Sequence, residues 1–318
     1  MSVARLEAHF GQEGEPGLAQ PRYDLTPEES SRAIRAYTAS HDMPQGHRLV
    51  GVDLTDADGT IVNAARTLEC AVFQDSFMSN DAQWMKTTYE DADRQGRRFL
   101  TVLDMGNEEK GELAKVVGVM SVLDKPPYLS LEDASRYTPY SVDEIRAYHT
   151  MRHEKIVDVL TVVIDSPYRA KMIEKTSVMA LLEGMLMRAG VEAGWEHVVS
   201  MVDSKARRLF DAMGIPFVPM HGHDVPFEYS GSKETYALYG KFADFVPTVA
   251  ARSKAYKHSG QRARDMARYM LSKNTEAPQY RQAAKRLGIF SVAQSVITGK
   301  RVTDRIRLSG GAEAIKLG

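Results

Sequence analysis

Ile156-Val157-Asp158-Val159-Leu160-Thr161-Val162-Val163-Ile164, running straight into Asp165-Ser166-Pro167-Tyr168-Arg169-Ala170-Lys171, decides the fold of this 318-residue chain. Its first part is almost continuously apolar and largely β-branched, which suits a central strand covered on both faces. A long helix is expected next, over 170–193. Its residues Val178, Leu181, Leu182, Met185 and Leu186 form an apolar stripe at helical period, and Gly194 supplies a stop. Another strand follows at 197–202. Strand, long helix and strand in that order make a parallel crossover, for which one hand is strongly preferred.

Upstream, the first 25 or so residues read as an arm rich in Gly and Pro. Thr26-Pro27-Glu28-Glu29 then opens a helix to about Ser40: the threonine caps, the proline fits the first turn, and the acids face the positive helix end. A strand over 47–54, a tight turn at 56–59 and helices over 64–77 and 81–95 come next. Strands over 99–104 and 115–123 form a hairpin around the charged loop 106–112. Ser141-Val142-Asp143-Glu144 has the capping-box spacing. Downstream lie a helix over 205–213 closed by Gly214, a strand near Pro216, and an alternating stretch over 234–245. Everything after Pro247 has helical character. The alternation predicts an α/β fold with a mixed central sheet and helices on both faces. Three regions are expected: an arm and helix over 1–46, an α/β domain over 47–247, and a basic helical C-terminal extension over 248–318.

Composition narrows the function classes. Cys70 is the sole cysteine, so neither an intramolecular disulfide nor a multi-cysteine zinc site can form. No signal-like N-terminus and no long apolar run is present, which predicts a soluble cytoplasmic protein without a membrane span. The net charge of −1 hides an asymmetry: residues 250–318 carry 15 Lys and Arg against 4 Asp and Glu, a balance of +11. A basic extension on an acidic body suits self-neutralisation or an acidic partner.

The order of elements resembles the GNAT (N-acetyltransferase-like) fold, in which two helices follow the first strand and an acyl donor binds after the fourth. The resemblance covers roughly 47–247. Val163 to Lys171 looks like the family's strand-end motif, with a proline and a Tyr-Arg pair before the donor-binding helix. Ala206-Arg207-Arg208-Leu209-Phe210-Asp211-Ala212-Met213-Gly214 is similar to its late helix ending in glycine. Two departures matter. The closely spaced glycines of a diphosphate loop are replaced by Ala170, Met172 and Glu174, and the position of the usual acid tyrosine is Phe210, which has no proton to give. These point to the branch of autoinducer synthases and long-chain N-acyl amino acid synthases. Pro226-Phe227-Glu228-Tyr229-Ser230-Gly231 and Ala65 to Phe73 are similar to segments of those enzymes.

What the resemblance implies is an N-acyltransferase that moves an acyl group from a thioester donor, acyl carrier protein or acyl-CoA, to a small amine or amino acid. No permanently bound cofactor and no metal are expected. The alternatives are an acetyl-CoA-dependent N-acetyltransferase, or a non-catalytic regulator whose basic tail binds nucleic acid or an acidic protein; a homodimer is left open. The donor site is placed on Val163, Ser166, Tyr168, Arg169 and Lys171. A helix N-terminus presents unpaired N–H groups to phosphate, and the two cations add charge. Backbone N–H groups near Val163 would polarise the thioester. For the base, Glu69 and Asp165 are candidates, and Tyr229, with Tyr236, for the acid. The pairs His149/His153 and His221/His223 lack the spacing of a zinc motif and read as solvated histidines.

Overall fold

The computed structural model describes residues 21–55, 59–76, 82–151, 155–169, 173–174, 176–213, 215–245 and 306–307. Helix α1 (Pro27–Ser40) is closed by a reciprocal capping box. Thr26 Oγ1 accepts the Glu29 N–H at 3.2 Å, and the Glu29 carboxylate accepts the Thr26 N–H at 2.8 Å. After β1 (Leu49–Leu54) come α2 (Thr60–Ser76) and α3 (Ala82–Arg94), then the hairpin of β2 (Arg98–Asp104) and β3 (Lys115–Leu123). Two short helices, α4 (Leu129–Ser135) and α5 (Val142–Tyr148), lead to β4 (Ile156–Ile164). Ser141 and Glu144 cap α5 as their spacing predicts. The chain continues through α6 (Val178–Ala193), β5 (His197–Asp203) and α7 (Ser204–Met213). Strands β6 (Val218–Pro219), β7 (Phe227–Tyr229), β8 (Ser232–Lys241) and β9 (Ile306–Arg307) follow.

Among the described residues nine strands form one sheet in the order β6-β8-β5-β4-β3-β2-β1-β9, with β7 on β8. The sheet is mixed: β4 and β5 run parallel while β1 to β4 alternate in direction. Helices cover both faces, so the fold is the mixed α/β architecture expected, and its element order is that of the GNAT resemblance. One face carries α6, whose Val178, Leu181, Leu182 and Met185 are fully buried. Each contributes about 1.5–3 kcal/mol by leaving water. Gly118 on β3 permits this close approach, since a Cβ there would stand 2.2 Å from Val178 Cγ1. The other face carries α1, α2 and α4. Strand alternation sorts the two sides: Met120 belongs to the α6 cluster, whereas its neighbour Ser121 bonds a residue of α2.

Two expectations need correction. The long helix starts at Val178 rather than near residue 170, with Ser177 as its cap; Ser177 Oγ accepts the Ala180 N–H at 3.1 Å. Pro167 instead sits in a 3-10 turn, Ser166–Tyr168, and Glu174 takes a left-handed φ of 50° that a helix cannot contain. Helix α4 falls where no element was expected. Ile306 and Arg307, within the expected helical extension, form a strand parallel to Gly51 and Val52 of β1. The rest of 248–318 and the arm over 1–20 lie outside the described residues.

Candidate functional site

Strands β4 and β5 pair over only part of their length. Ile156 to Val159 face His197 to Ser200, and beyond that point no pairing links them. The divergence begins at a bulge, where the register against β3 slips between Val159 and Thr161 and leaves Leu160 as the extra residue. The N–H of Asp165 donates to Val117 C=O. Alternation along the strand therefore turns the N–H of Val163 towards β3 as well, and those of Val162 and Ile164 towards the opening. The N–H groups near Val163 that face the opening are thus those of its two neighbours. Ile164 C=O on that edge already accepts a hydrogen bond from Arg169 Nε at 3.0 Å.

Inside the opening, between α6 and the diverging strands, lies a cavity of about 60 Å³. Its walls are apolar: Val162 of β4, Met179 and Met187 of α6, and the rings of Phe210, Phe217 and Phe245. Two polar side chains reach it. Ser200 Oγ donates to Val159 C=O at 2.8 Å, so its proton is committed. Glu183 is different. Its Oε1 is enclosed and has no hydrogen-bond partner among the described residues. The residue keeps some surface at the helix exterior, but the enclosed end governs proton affinity, and burial pushes its carboxyl up to about 8. The sequence reading passed over Glu183. The available signal was an acid flanked four residues either side by Met179 and Met187, in a stretch from Val178 to Met187 whose other residues are apolar or glycine.

The predicted site residues do not converge. Glu69 is completely buried on α2, on the face opposite the cavity. It accepts hydrogen bonds from Ser121 Oγ at 3.1 Å and from Thr161 Oγ1, and pairs with Arg97 Nη1 at 3.2 Å. Asp165, at the end of β4, meets Lys115 Nζ at 3.4 Å. Tyr229 lies on β7, where its hydroxyl donates to Asp133 of α4 at 2.5 Å; burial and that carboxylate hold its proton more firmly than usual. Tyr168 turns inward from the 3-10 turn and donates to Asp104 Oδ2 at 2.5 Å. Asp104 also takes Arg48 Nε at 2.9 Å and the Gly106 N–H at 2.9 Å, and its carboxyl stays below its ordinary range. Arg169 is held to the end of β4 by its bond to Ile164, Ser166 begins the 3-10 turn, and Lys171 lies outside the described residues. The cap of α6 is not an open anion site, because Ser177 is fully buried.

The histidines serve packing. His149 Nε2 accepts the His221 N–H at 3.0 Å, its ring stacks on Tyr239 at 4.1 Å, and burial pushes it down to about 4. His153 lies outside the described residues. Among the described residues no group of three or more His, Cys, Asp or Glu could hold a metal ion. Nor is any described helix long and apolar enough to cross a membrane.

No family model matches the chain, and no curated protein does. Among solved structures, it is similar to FeeM, an N-acyl amino acid synthase from uncultured soil microbes. That likeness has 12% identity and a TM-score of 0.42, over 62% of this chain and 95% of the other. It is similar to an acetyltransferase of the GNAT family from Streptococcus pneumoniae at 15% identity and a TM-score of 0.35, over 61% of this chain and 98% of the other. The AHL synthase LasI shares 13% identity at a TM-score of 0.33, over 48% of this chain and 68% of its own.

Proposed function

We propose that this chain is an N-acyltransferase that moves an acyl group from a thioester donor to the amine of a small molecule or amino acid. The observation that carries the reading is the divergence of β4 from β5 after Val159 and Ser200, opening onto an apolar cavity. An extended pantetheine arm fits such a gap as a missing strand would, bonding the free edge of β4. The N–H groups of Val162 and Ile164 are then placed to receive the thioester oxygen as it gains charge. Arg169 and Ser166 stand at the mouth on the donor's phosphate side, with Lys171 next to them in sequence. The acyl group enters the cavity, where Met120, Met179 and Met187 adapt to chains of different shape.

Both donor classes, acyl-CoA and acyl carrier protein, are compatible with this arrangement. The +11 balance of residues 250–318 favours an acidic carrier protein by steering encounter. A cavity of about 60 Å³ favours a short acyl group unless the methionines move, which supports acetyl-CoA as the second reading. Glu69 and Asp165 keep their candidacy as bases only in different senses. Asp165 is partly exposed at the strand end, whereas Glu69 needs α2 or α3 to shift before an amine can reach it. A cytoplasmic location goes with this reading.

The test is direct. The full chain is incubated with acetyl-CoA, octanoyl-CoA or octanoyl carrier protein and an equimolar mixture of the amino acids, and amides are sought by mass spectrometry. A new N-acyl product, with a donor-induced rise in melting temperature, is the expected outcome. Neither product nor thermal shift with any donor would rule the reading out.

A further inference from the structure

Tyr137, Tyr148 and Val225 are exposed by 48%, 64% and 71%, and they belong to one connected surface. Tyr148 stacks on His221 at 4.1 Å, His221 lies against Tyr140 at 3.9 Å, and Tyr137 stacks on Phe227 at 4.5 Å. The loop over 221–227, which carries Val225, joins the two stacks, and His223 Nε2 fastens it by donating to Ala134 C=O at 3.0 Å. Isolated exposed apolar side chains are ordinary, whereas a connected aromatic surface marks an interaction site. Acids surround this one. Residues 132–148 and 221–234 carry 7 Asp and Glu against 3 Lys and Arg, a balance of −4. Of the three cations, Arg136 pairs with Asp133 at 2.7 Å and Arg146 is buried. Asp143, Asp224 and Glu228 are exposed.

What suits such a face is a segment rich in Lys and Arg, whose cations meet both carboxylates and ring faces. The chain carries one. Residues 250–273 hold 7 Lys and Arg against the single acid Asp265, a balance of +6, with Tyr256, Met266, Tyr269 and Met270 between them. Its tether begins close by. Tyr239 of β8 stacks on His149 at 4.1 Å, His149 meets Tyr148 edge-on at 4.9 Å, and the described chain runs only six residues beyond Tyr239, to Phe245. The crossing from there to β9 spans six strand spacings, about 30 Å. The 60 residues between Phe245 and Ile306 can reach about 200 Å, so the segment has length to spare for a detour. We infer that residues 250–273 dock on this face of their own chain, with their Lys and Arg side chains on the carboxylates of Asp143, Asp224 and Glu228 and on the exposed rings of Tyr137 and Tyr148. The inference stands on charge and exposed rings, independently of the acyltransferase reading. The face cancels only part of the +11 of residues 250–318, and the surplus remains to attract an acidic donor.

Zero-length carbodiimide cross-linking of the full chain joins amines to carboxylates that touch. Expected are amides between Lys254, Lys257 or Lys273 and Asp143, Asp224 or Glu228, lost at about 1 M salt, where screening acts within about 3 Å. In a mixture of isotope-labelled and unlabelled protein, these amides should form within one chain and not between chains. The triple variant Asp143→Asn, Asp224→Asn, Glu228→Gln changes exposed side chains only and should melt as wild type does. Tryptic cleavage within 252–273 should nevertheless become about tenfold faster in it, because the docked population falls. Cross-links that form elsewhere but not here, amides found only between chains, or unchanged cleavage in the variant would overturn the inference. So would protection that requires added nucleic acid or an acidic protein, since the segment would then belong to that partner.

Discussion

Glu69 and Glu183 stand on opposite faces of one sheet. Glu69 accepts from Ser121 and Thr161 and pairs with Arg97, whereas Glu183 keeps an enclosed oxygen with no hydrogen-bond partner among the described residues. The same residue type thus has opposite chemistry on its two sides. A carboxylate beside a guanidinium and two hydroxyls ties α2 to the sheet. A carboxyl among methionine and phenylalanine side chains is pushed by burial towards its neutral form.

Removing either half of the Glu69–Arg97 pair leaves a charge buried without its partner. Glu69→Ala is expected to cost about 3–5 kcal/mol of stability. Urea unfolding of the variant checks it, and a midpoint unchanged from wild type would show that the pair is not the anchor described.

Tyr168 should matter to folding more than to donor binding, since its hydroxyl is committed to Asp104. Tyr168→Phe is expected to lower stability by about 1.5–3 kcal/mol, the range for a hydrogen bond to a charged group. The thermal shift produced by octanoyl-CoA should survive in that variant and shrink in Arg169→Ala. The opposite pattern would put the donor on the tyrosine.

Gly118 sets the distance between α6 and β3. Gly118→Ala drives a methyl group against Val178, whose branched side chain has little room to turn, and should cost about 1–3 kcal/mol. Adding Val178→Ala relieves the clash. The double variant should therefore be less unstable than the sum of the two single changes, measured by thermal unfolding.

Asp158 is buried beneath Ser130, which donates both its N–H at 2.7 Å and its hydroxyl at 2.6 Å. Burial nevertheless wins and lifts its carboxyl from 3.8 to about 7. Between those values the native state holds a proton that the unfolded chain has released, so this group's contribution falls as pH rises through that window. The slope is at most about 1.4 kcal/mol per pH unit. Wild type should therefore lose stability relative to Asp158→Asn as pH is raised from about 4 to about 7. Parallel curves for the two proteins would mean that the carboxyl is ionised in the fold.

Much of the architecture was legible because it depends on neighbours in the chain. β4 runs over the nine residues that its apolar, β-branched composition marked out, and both capping boxes form where their spacing placed them. The late start of α6 was legible too, in the Ser177 cap before Val178, but Ala170 to Lys175 has enough helix formers to mask it. Helix α4 offered no comparable sign: its cap position is Tyr128, which makes no side-chain capping bond.

The sequence by itself determined the order of strands and helices and the identity of the central strand, because those follow from local periodicity and capping. Only the tertiary structure decided the chemistry. Glu69 meets Thr161 across 92 positions of sequence and Tyr168 meets Asp104 across 64, and a lone chain carries no mark of such pairings. The cavity likewise exists because β4 and β5 part after four paired residues, a property of neither strand alone. Burial and partnership fix a proton affinity, and both are set by what the fold brings near. Hence, of the junction that marked the fold, Ser166 to Tyr168 form a 3-10 turn, while the carboxyl in the cavity wall belongs to Glu183 in the next helix.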